Sequence, residues 1–236
     1  MTRHARALLV LALAAGISIS ARGEERDTVC EPAMLVFDAS GSMKGTRIAE
    51  ARAAARRVLP VLTRQRHVGL VTYGAAPEVP PACGAVQLKL TPAPDNAALI
   101  QAEIDALRPD GRTPLTEAVA AAANALGGGA RRGLIVLVTD GEENCRGDPC
   151  ALGRQIRALG KRLKVHVIGY RLRVPEGSAL ACLAGETGGV FVEATNTDDL
   201  IRALGQTLGC APVSAPRHST DPRTFAALAG SDRHSR

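Results

Sequence analysis

The stretch Ala33-Met-Leu-Val-Phe-Asp38-Ala-Ser-Gly-Ser42 joins five apolar residues to a short loop of acid, hydroxyl and glycine residues. Its apolar part is typical of a buried strand, and Asp38 lies where that strand would end. A second apolar run, Leu134-Ile-Val-Leu-Val138, is also followed closely by an acid, Asp140. The two runs predict buried strands of a parallel sheet that carry polar groups at their carboxyl ends.

Strand-like and helix-like segments alternate along the rest of the chain. Further strands are predicted at 68–73, 86–90, 165–170 and 190–192, and helices at 47–62, 96–107, 113–126, 151–163, 178–184 and 197–208. This alternation predicts an α/β fold, with a Rossmann-like, doubly wound and mostly parallel sheet covered by helices on both faces. The segment 86–90 alternates apolar and polar residues, which suits an edge strand.

The amino-terminal residues predict export. Residues 1–20 combine a basic start, an apolar stretch and small residues at its end, which is the pattern of a signal peptide cleaved near 20–23. Residues 21–32 are predicted to be a short linker, 33–210 one domain and 211–236 a disordered polar tail. The apolar stretch is shorter than the roughly 20 residues that a membrane span needs. We therefore expect a periplasmic or secreted protein without a stable membrane span, with an uncleaved anchor as the alternative.

Six cysteines, all beyond the predicted signal peptide, agree with export, because an even number in an exported protein indicates disulfides. Sequence does not decide their pairing. The first guess is a local bridge across a short loop, a bridge between the ends of the domain, and the pair that then remains. A cysteine metal site is the rival, but the chain has no Cys-x-x-Cys motif and few histidines. The guessed pairs are Cys145–Cys150, Cys30–Cys210 and Cys83–Cys182.

The formal net charge of +6 does not predict nucleic-acid binding. Part of the excess lies in the predicted export signal, and the remaining arginines are spread along helical segments as on a solvated face. Aromatic residues make up only 2% of the chain, too few for a stacking platform. We expect no nucleic-acid partner.

Five oxygen donors are expected to meet at the carboxyl edge of the sheet, where open α/β sheets bind their ligands. They are Asp38, Ser40, Ser42, Thr113 and Asp140. A donor set without nitrogen or sulfur suits Mg²⁺, with Mn²⁺ or Ca²⁺ as alternatives. An open position on the ion would attract an acidic group, so the predicted partner is a protein that offers an Asp or Glu.

Three segments, Asp38-Ala-Ser-Gly-Ser-Met43, Gly111-Arg-Thr-Pro-Leu115 and Val138-Thr-Asp-Gly-Glu142, closely resemble the site segments of von Willebrand factor A domains. The resemblance covers roughly residues 33–208. It implies a Rossmann-like sheet with one antiparallel edge strand. It also implies a metal-ion-dependent adhesion site in which the five oxygen donors bind Mg²⁺ directly or through water, while the partner supplies a carboxylate. Arg112, where family members often have Gly, is a minor departure.

A metal-assisted hydrolase acting on phosphate or ester substrates is the alternative function. A phosphatase with an aspartate nucleophile would need a second Asp where this chain has Ser40. Ser40 and Ser42 also lack a neighbouring histidine as base, since His67 and His166 fall in or beside predicted strands. We therefore expect a binding protein and not an enzyme.

The segment Arg146-Gly147-Asp148 spells an integrin-recognition tripeptide. Such tripeptides arise by chance in chains rich in Arg and Gly. We expect Asp148-Pro149 to start the next helix instead.

Overall fold

The computed structural model describes residues 30–75, 83, 86–160, 162–172 and 177–210. The predicted signal peptide, most of the predicted linker and the predicted polar tail lie outside the described residues. No helix within these ranges is long and apolar enough to cross a membrane.

The described ranges hold six strands and six α-helices, which alternate except that β3 directly follows β2 and α3 directly follows α2. The strands are β1 (Cys30–Asp38), β2 (Arg66–Tyr73), β3 (Val86–Ala93), β4 (Gly133–Thr139), β5 (Leu163–Tyr170) and β6 (Phe191–Ala194). The helices are α1 (Thr46–Gln65), α2 (Ala97–Ala106), α3 (Leu115–Ala125), α4 (Pro149–Ala158), α5 (Ser178–Glu186) and α6 (Thr197–Leu208). A short 3-10 turn, Gly41–Met43, lies between β1 and α1.

The strands form one sheet in the order β3-β2-β1-β4-β5-β6. All neighbouring pairs are parallel except β2 and β3, which are antiparallel. The predicted fold class is therefore confirmed, including the antiparallel edge strand. The two apolar strands β1 and β4 are neighbours inside the sheet, where both faces are covered.

Side chains of β1 alternate between two apolar cores. Leu35 and Phe37 pack with α1, α2 and α6, whereas Met34 and Val36 pack with α3, α4 and α5. Burying a side chain of this size stabilises the fold by about 1.5–3 kcal/mol. The central strand is thereby fixed on both faces, so the loop that follows Asp38 begins from a rigid position.

Most element boundaries differ from the prediction by a few residues, and two of the differences have a clear physical reason. The helix predicted at 151–163 ends at Ala158, because Gly160 adopts φ 104°, a conformation that ends a helix, and Leu163 already belongs to β5. The first strand begins at Cys30 instead of Ala33, since Cys30 still pairs with β2.

All six cysteines form disulfides, but only one of the three guessed pairs is confirmed. The two wrong guesses assumed a local bridge beside α4. Arg146 has a positive φ of 71° and turns the chain between the two cysteines concerned. The second of them lies in α4, which packs against α5 and its cysteine. The observed pairs are Cys30–Cys210, Cys83–Cys145 and Cys150–Cys182.

Candidate metal centre

Asp38, the last residue of β1, is fully buried and held at both carboxylate oxygens. Its Oδ2 accepts hydrogen bonds from the hydroxyls of Tyr73 (2.8 Å) and Thr139 (2.7 Å), and its Oδ1 accepts one from the backbone N–H of Ser40 (2.7 Å). Burial raises the pKa of Asp38, and the charge of Asp140 raises it further. The carboxylate is therefore fixed in position and short of positive charge.

A chain of side-chain hydrogen bonds connects the loop after β1 to Asp140, which follows β4. The hydroxyls of Ser40 and Ser42 are 3.0 Å apart, and the Ser42 hydroxyl donates to Asp140 Oδ1 at 2.6 Å. Ser40 and Asp140 are buried, whereas Ser42 is exposed. Parallel neighbours β1 and β4 place their carboxyl ends side by side, which brings these groups together.

Gly74, directly after β2, is the junction between this loop and the loop that carries Thr113. Its carbonyl accepts the N–H of Gly111 at 2.8 Å, and Gly111 in turn accepts the N–H of Gly41 at 2.9 Å. A Cβ on Gly74 would lie 2.6 Å from the backbone nitrogen of Ser40. Only glycine permits this approach, so Gly74 sets the position of both loops.

Thr113 is buried and is held through its backbone by Asn144. Its N–H donates to Asn144 Oδ1 at 2.7 Å, and its carbonyl accepts the N–H of Asn144 at 3.3 Å. The neighbouring Glu143 accepts the N–H and hydroxyl of Thr116 at the start of α3, and also the N–H of Cys145. The Cys83–Cys145 disulfide is thus attached directly to the residues that position Thr113.

A cavity of about 290 Å³ opens over the site. Ser42, Thr113 and Asp140 line it together. Two arginines share its wall: Arg47 forms an ion pair with Asp140, and Arg171 forms one with Glu50. A ligand that enters this cavity would meet hydroxyl and carboxylate oxygens together with guanidinium groups.

The structure brings all five predicted donors to this one edge. Asp38, Ser40, Ser42 and Asp140 are joined through hydrogen bonds, and Thr113 faces the cavity that Ser42 and Asp140 also line. Two carboxylates and three hydroxyls form an all-oxygen donor set, which fits Mg²⁺. A cation between the two acids would offset both the burial of Asp38 and its repulsion by Asp140. Their role as metal ligands remains a prediction.

Several residues of the site were not predicted. Tyr73 ends β2 at the same edge as Asp38 and Gly74 follows it, and a polar residue and a glycine at a strand end were a usable signal. Asn144 and Arg47 gave no such signal, because their contacts depend on how α1 and the loop after β4 pack.

The described residues offer no histidine base at this site. His67 is the second residue of β2, and His166 lines a cavity at the opposite edge of the sheet. Within the described ranges no histidine bonds to Ser40 or Ser42. Among the described residues, neither serine therefore has a histidine to activate it for nucleophilic attack.

The Arg-Gly-Asp tripeptide is used by the fold itself. Asp148 caps α4 by accepting the N–H of Ala151 at 3.0 Å, and Pro149 is the first residue of the helix, as predicted. Gly147 packs against Thr116 so closely that a Cβ would meet the Thr116 hydroxyl at 1.7 Å. Its central glycine and its acid therefore have structural roles.

Known proteins share the α/β fold described above. Residues 33–143 match the family model of the von Willebrand factor type A domain. The uncharacterized protein YwmD of Bacillus subtilis (strain 168) is 28% identical over 185 residues, which are 72% of this chain and 81% of that protein.

Solved structures share the fold at low sequence identity. The SpRpn10 VWA domain superposes with a TM-score of 0.59 at 16% identity, over 79% of this chain and 100% of that one. The vWF domain of the type V pili tip protein Mfa5 from Porphyromonas gingivalis gives 0.57 at 15% identity, over 80% and 99% of the two chains. The PilB minor pilin from Streptococcus sanguinis gives 0.58 at 18% identity, over 79% and 64%.

Proposed function

Because the chain folds as a von Willebrand factor type A domain, we propose that it is an exported, non-enzymatic protein that binds a protein partner through a Mg²⁺-type adhesion site. Asp38, Ser40, Ser42, Thr113 and Asp140 would hold the ion directly or through water, with Mn²⁺ or Ca²⁺ as alternatives. The observation that carries this proposal is the bonded oxygen cluster from Asp38 through Ser40 and Ser42 to Asp140, beneath an open cavity.

The cavity supports an acidic group as the part of the partner that is recognised. When bound, Mg²⁺ would offer a coordination position to a carboxylate. The guanidinium groups of Arg47 and Arg171 add positive charge at the wall of the same cavity. An Asp or Glu side chain of the partner fits both the ion and these arginines.

Export is supported by two observations. Three disulfides close the described domain, and disulfides persist in oxidising compartments. Two of the similar folds belong to a pili tip protein and a minor pilin. We propose a periplasmic or secreted location.

Affinity capture from the native exported proteome tests the proposal. Wild-type protein should retain a partner in Mg²⁺ and release it in EDTA, and Ser42→Ala and Asp140→Ala should retain none. Asp110→Ala is the matched control, because Asp110 is an exposed acid near the site that pairs with Lys44 and should leave capture unchanged. Equal capture in EDTA would contradict the metal bridge.

Two measurements on the purified protein separate the parts of the proposal. Titration calorimetry with Mg²⁺ alone should show one site in wild-type protein and none in Asp140→Ala. A panel of phosphate and ester substrates with Mg²⁺ or Mn²⁺ should show no turnover. Turnover that disappears in Asp140→Ala would instead support the hydrolase.

A further inference from the structure

A second cavity, of about 330 Å³, lies at the amino ends of the strands. It is lined by the starts of β1, β2, β4 and β5 together with the end of α6, and we call it the amino-edge cavity. Glu31 at this edge and Asp38 at the other are seven residues apart on β1, a separation of about 23 Å in a strand. The amino-edge cavity is therefore independent of the candidate metal centre.

Arg66, the first residue of β2, is only 7% exposed and lines this cavity. Its Nη2 donates to the carbonyl of Gly209 at 3.1 Å. Its Nε and Nη1 are buried and have no hydrogen-bond acceptor in the part of the chain that the structure describes. A buried guanidinium with unpartnered donors is costly, so this position calls for further acceptor oxygens.

The nearest acid does not supply them. Glu31 also lines the cavity, but its described ion pair is with Arg132 at 3.8 Å, and its side chain is 45% exposed. Burial lowers the pKa of Arg66, and the charge of Glu31 only partly opposes this effect. Arg66 therefore stays undercompensated.

Two further donors face the same cavity. Lys164 is exposed at its rim, and His166, which is 6% exposed, lines its wall. His166 Nδ1 accepts the N–H of Val190 at 2.9 Å, so a neutral imidazole carries its proton on Nε2 and can donate from there. Burial and the charges of Lys164 and Arg66 lower the pKa of His166 to about 4, which keeps the ring neutral at pH 7.

We propose that the amino-edge cavity binds a small oxyanion of the phosphate class, whose oxygens accept from Arg66, Lys164 and His166. Two cations against one acid favour an anion over a metal cation at this edge. A water molecule could accept one hydrogen bond, but it would leave the charge of Arg66 uncompensated. Each unpartnered nitrogen exposes less than 1 Å², so the Arg66 side chain must turn toward the cavity as the anion enters.

Titration with inorganic phosphate, followed by NMR in metal-free buffer at constant ionic strength with chloride, tests the proposal. The Arg66 Nε–H and His166 ring resonances should shift and saturate, with a Kd near the millimolar range. Arg66→Met keeps the apolar stem and should weaken binding about tenfold or more, since charge-assisted hydrogen bonds are lost. Arg64→Met, two residues earlier in α1, is the matched control and should leave the Kd unchanged.

Lys164→Met keeps the test decisive if Arg66→Met does not fold, because Lys164 is exposed and its loss should weaken phosphate binding without unfolding the chain. Shifts that do not saturate, or that are equal in wild-type protein and a folded Arg66→Met or Lys164→Met variant, would overturn the proposal. Since no Mg²⁺ is present, either outcome is separate from the fate of the metal-site proposal.

Discussion

Two loops of the site, the one after β1 and the one that carries Thr113, pack against Gly74, which has no side chain to keep them apart. We predict that Gly74→Ala destabilises the protein and weakens Mg²⁺ binding at least about tenfold, because its Cβ would press on the backbone of Ser40 and on the carbonyl of Arg112. Thermal unfolding and Mg²⁺ calorimetry measure the two effects. Gly74 also has a φ of 73°, so part of the cost is backbone strain.

Gly45→Ala isolates that strain. Gly45 has nearly the same φ, 76°, but a Cβ there would contact nothing within 4 Å. With ψ −124° Gly45 lies outside the left-handed helical region, so the alanine should cost about 1–3 kcal/mol and leave Mg²⁺ affinity unchanged. If the two variants behave alike, the close approach at Gly74 has no role in the site.

His166 makes stability depend on pH. Its pKa is lowered from 6.5 to about 4 in the folded chain, so the unfolded chain binds the proton more readily. His166 therefore leaves the free energy of unfolding unchanged above pH 6.5. As pH falls from 6.5 to 4, protonation of the unfolded chain lowers this free energy by at most about 3 kcal/mol. Urea unfolding in phosphate-free buffers should show a shallower loss for His166→Gln, whose amide oxygen can still accept from Val190. Equal slopes would contradict the assignment.

At the scale of elements, the Cys83–Cys145 disulfide ties the connection between β2 and β3 to the loop after β4. We predict that replacing both of its cysteines with serine weakens Mg²⁺ binding about tenfold, because Asn144, which holds Thr113, is next to Cys145. Calorimetry with Mg²⁺ measures the effect.

The Cys150–Cys182 pair provides the control, since it joins α4 to α5 instead of the site loops. Removing either disulfide should cost about 4 kcal/mol of stability by loss of loop closure. Only the first removal should also change Mg²⁺ affinity. A similar loss of affinity in both variants would indicate a general loosening of the fold.

The order and type of the elements were largely predictable because they depend on local patterns. Continuous apolar runs at β1 and β4 fixed the centre of the sheet, and the alternating segment 86–90 indicated its edge. Disulfide pairing was not predictable in the same way. Cys150 meets Cys182 only because α4 packs against α5, and one sequence does not show which helices become neighbours.

In the candidate site, too, the residues set by local patterns were predictable and those set by tertiary packing were not. Asp38 and Asp140 could be found because Asp38 ends a buried strand and Asp140 follows another, and parallel neighbours place such residues side by side. The residues that hold these side chains in place could not be predicted. Asn144 bonds to Thr113, and Arg47 to Asp140, only because loops and a helix approach each other through tertiary packing.

In the whole molecule, β1 runs between two edges of the sheet that differ in the charge of their buried residues. Its carboxyl end carries the buried acid Asp38, with Asp140 beside it, and its amino end lies beside Arg66, at the cavity that Lys164 also lines. Cys30 and Cys210 join the first strand to the end of α6 at the amino edge. The candidate metal centre and the amino-edge cavity thus lie at opposite ends of one sheet, so the proposed cation and anion would bind independently.

At Asp38, the stability of the whole chain and its metal binding are expected to oppose each other. Asp38→Asn removes a buried charge but keeps an oxygen for the N–H of Ser40, while the hydroxyls of Tyr73 and Thr139 can rotate to accept from the amide. Without metal, the variant should therefore unfold at a temperature a few degrees above that of wild-type protein.

Mg²⁺ should reverse this order. At one hundred times the Kd, it should stabilise wild-type protein by about 2.7 kcal/mol, or roughly 5–10 °C, and leave Asp38→Asn unchanged. Asp140→Asn is the control: it should also lose the response to Mg²⁺, but without the gain in EDTA, because it deprives Arg47 of its ion-pair partner. Calorimetric scans of the three proteins in EDTA and in Mg²⁺ provide the test. If Mg²⁺ raised the unfolding temperature of all three equally, the ion would be acting elsewhere than at Asp38 and Asp140.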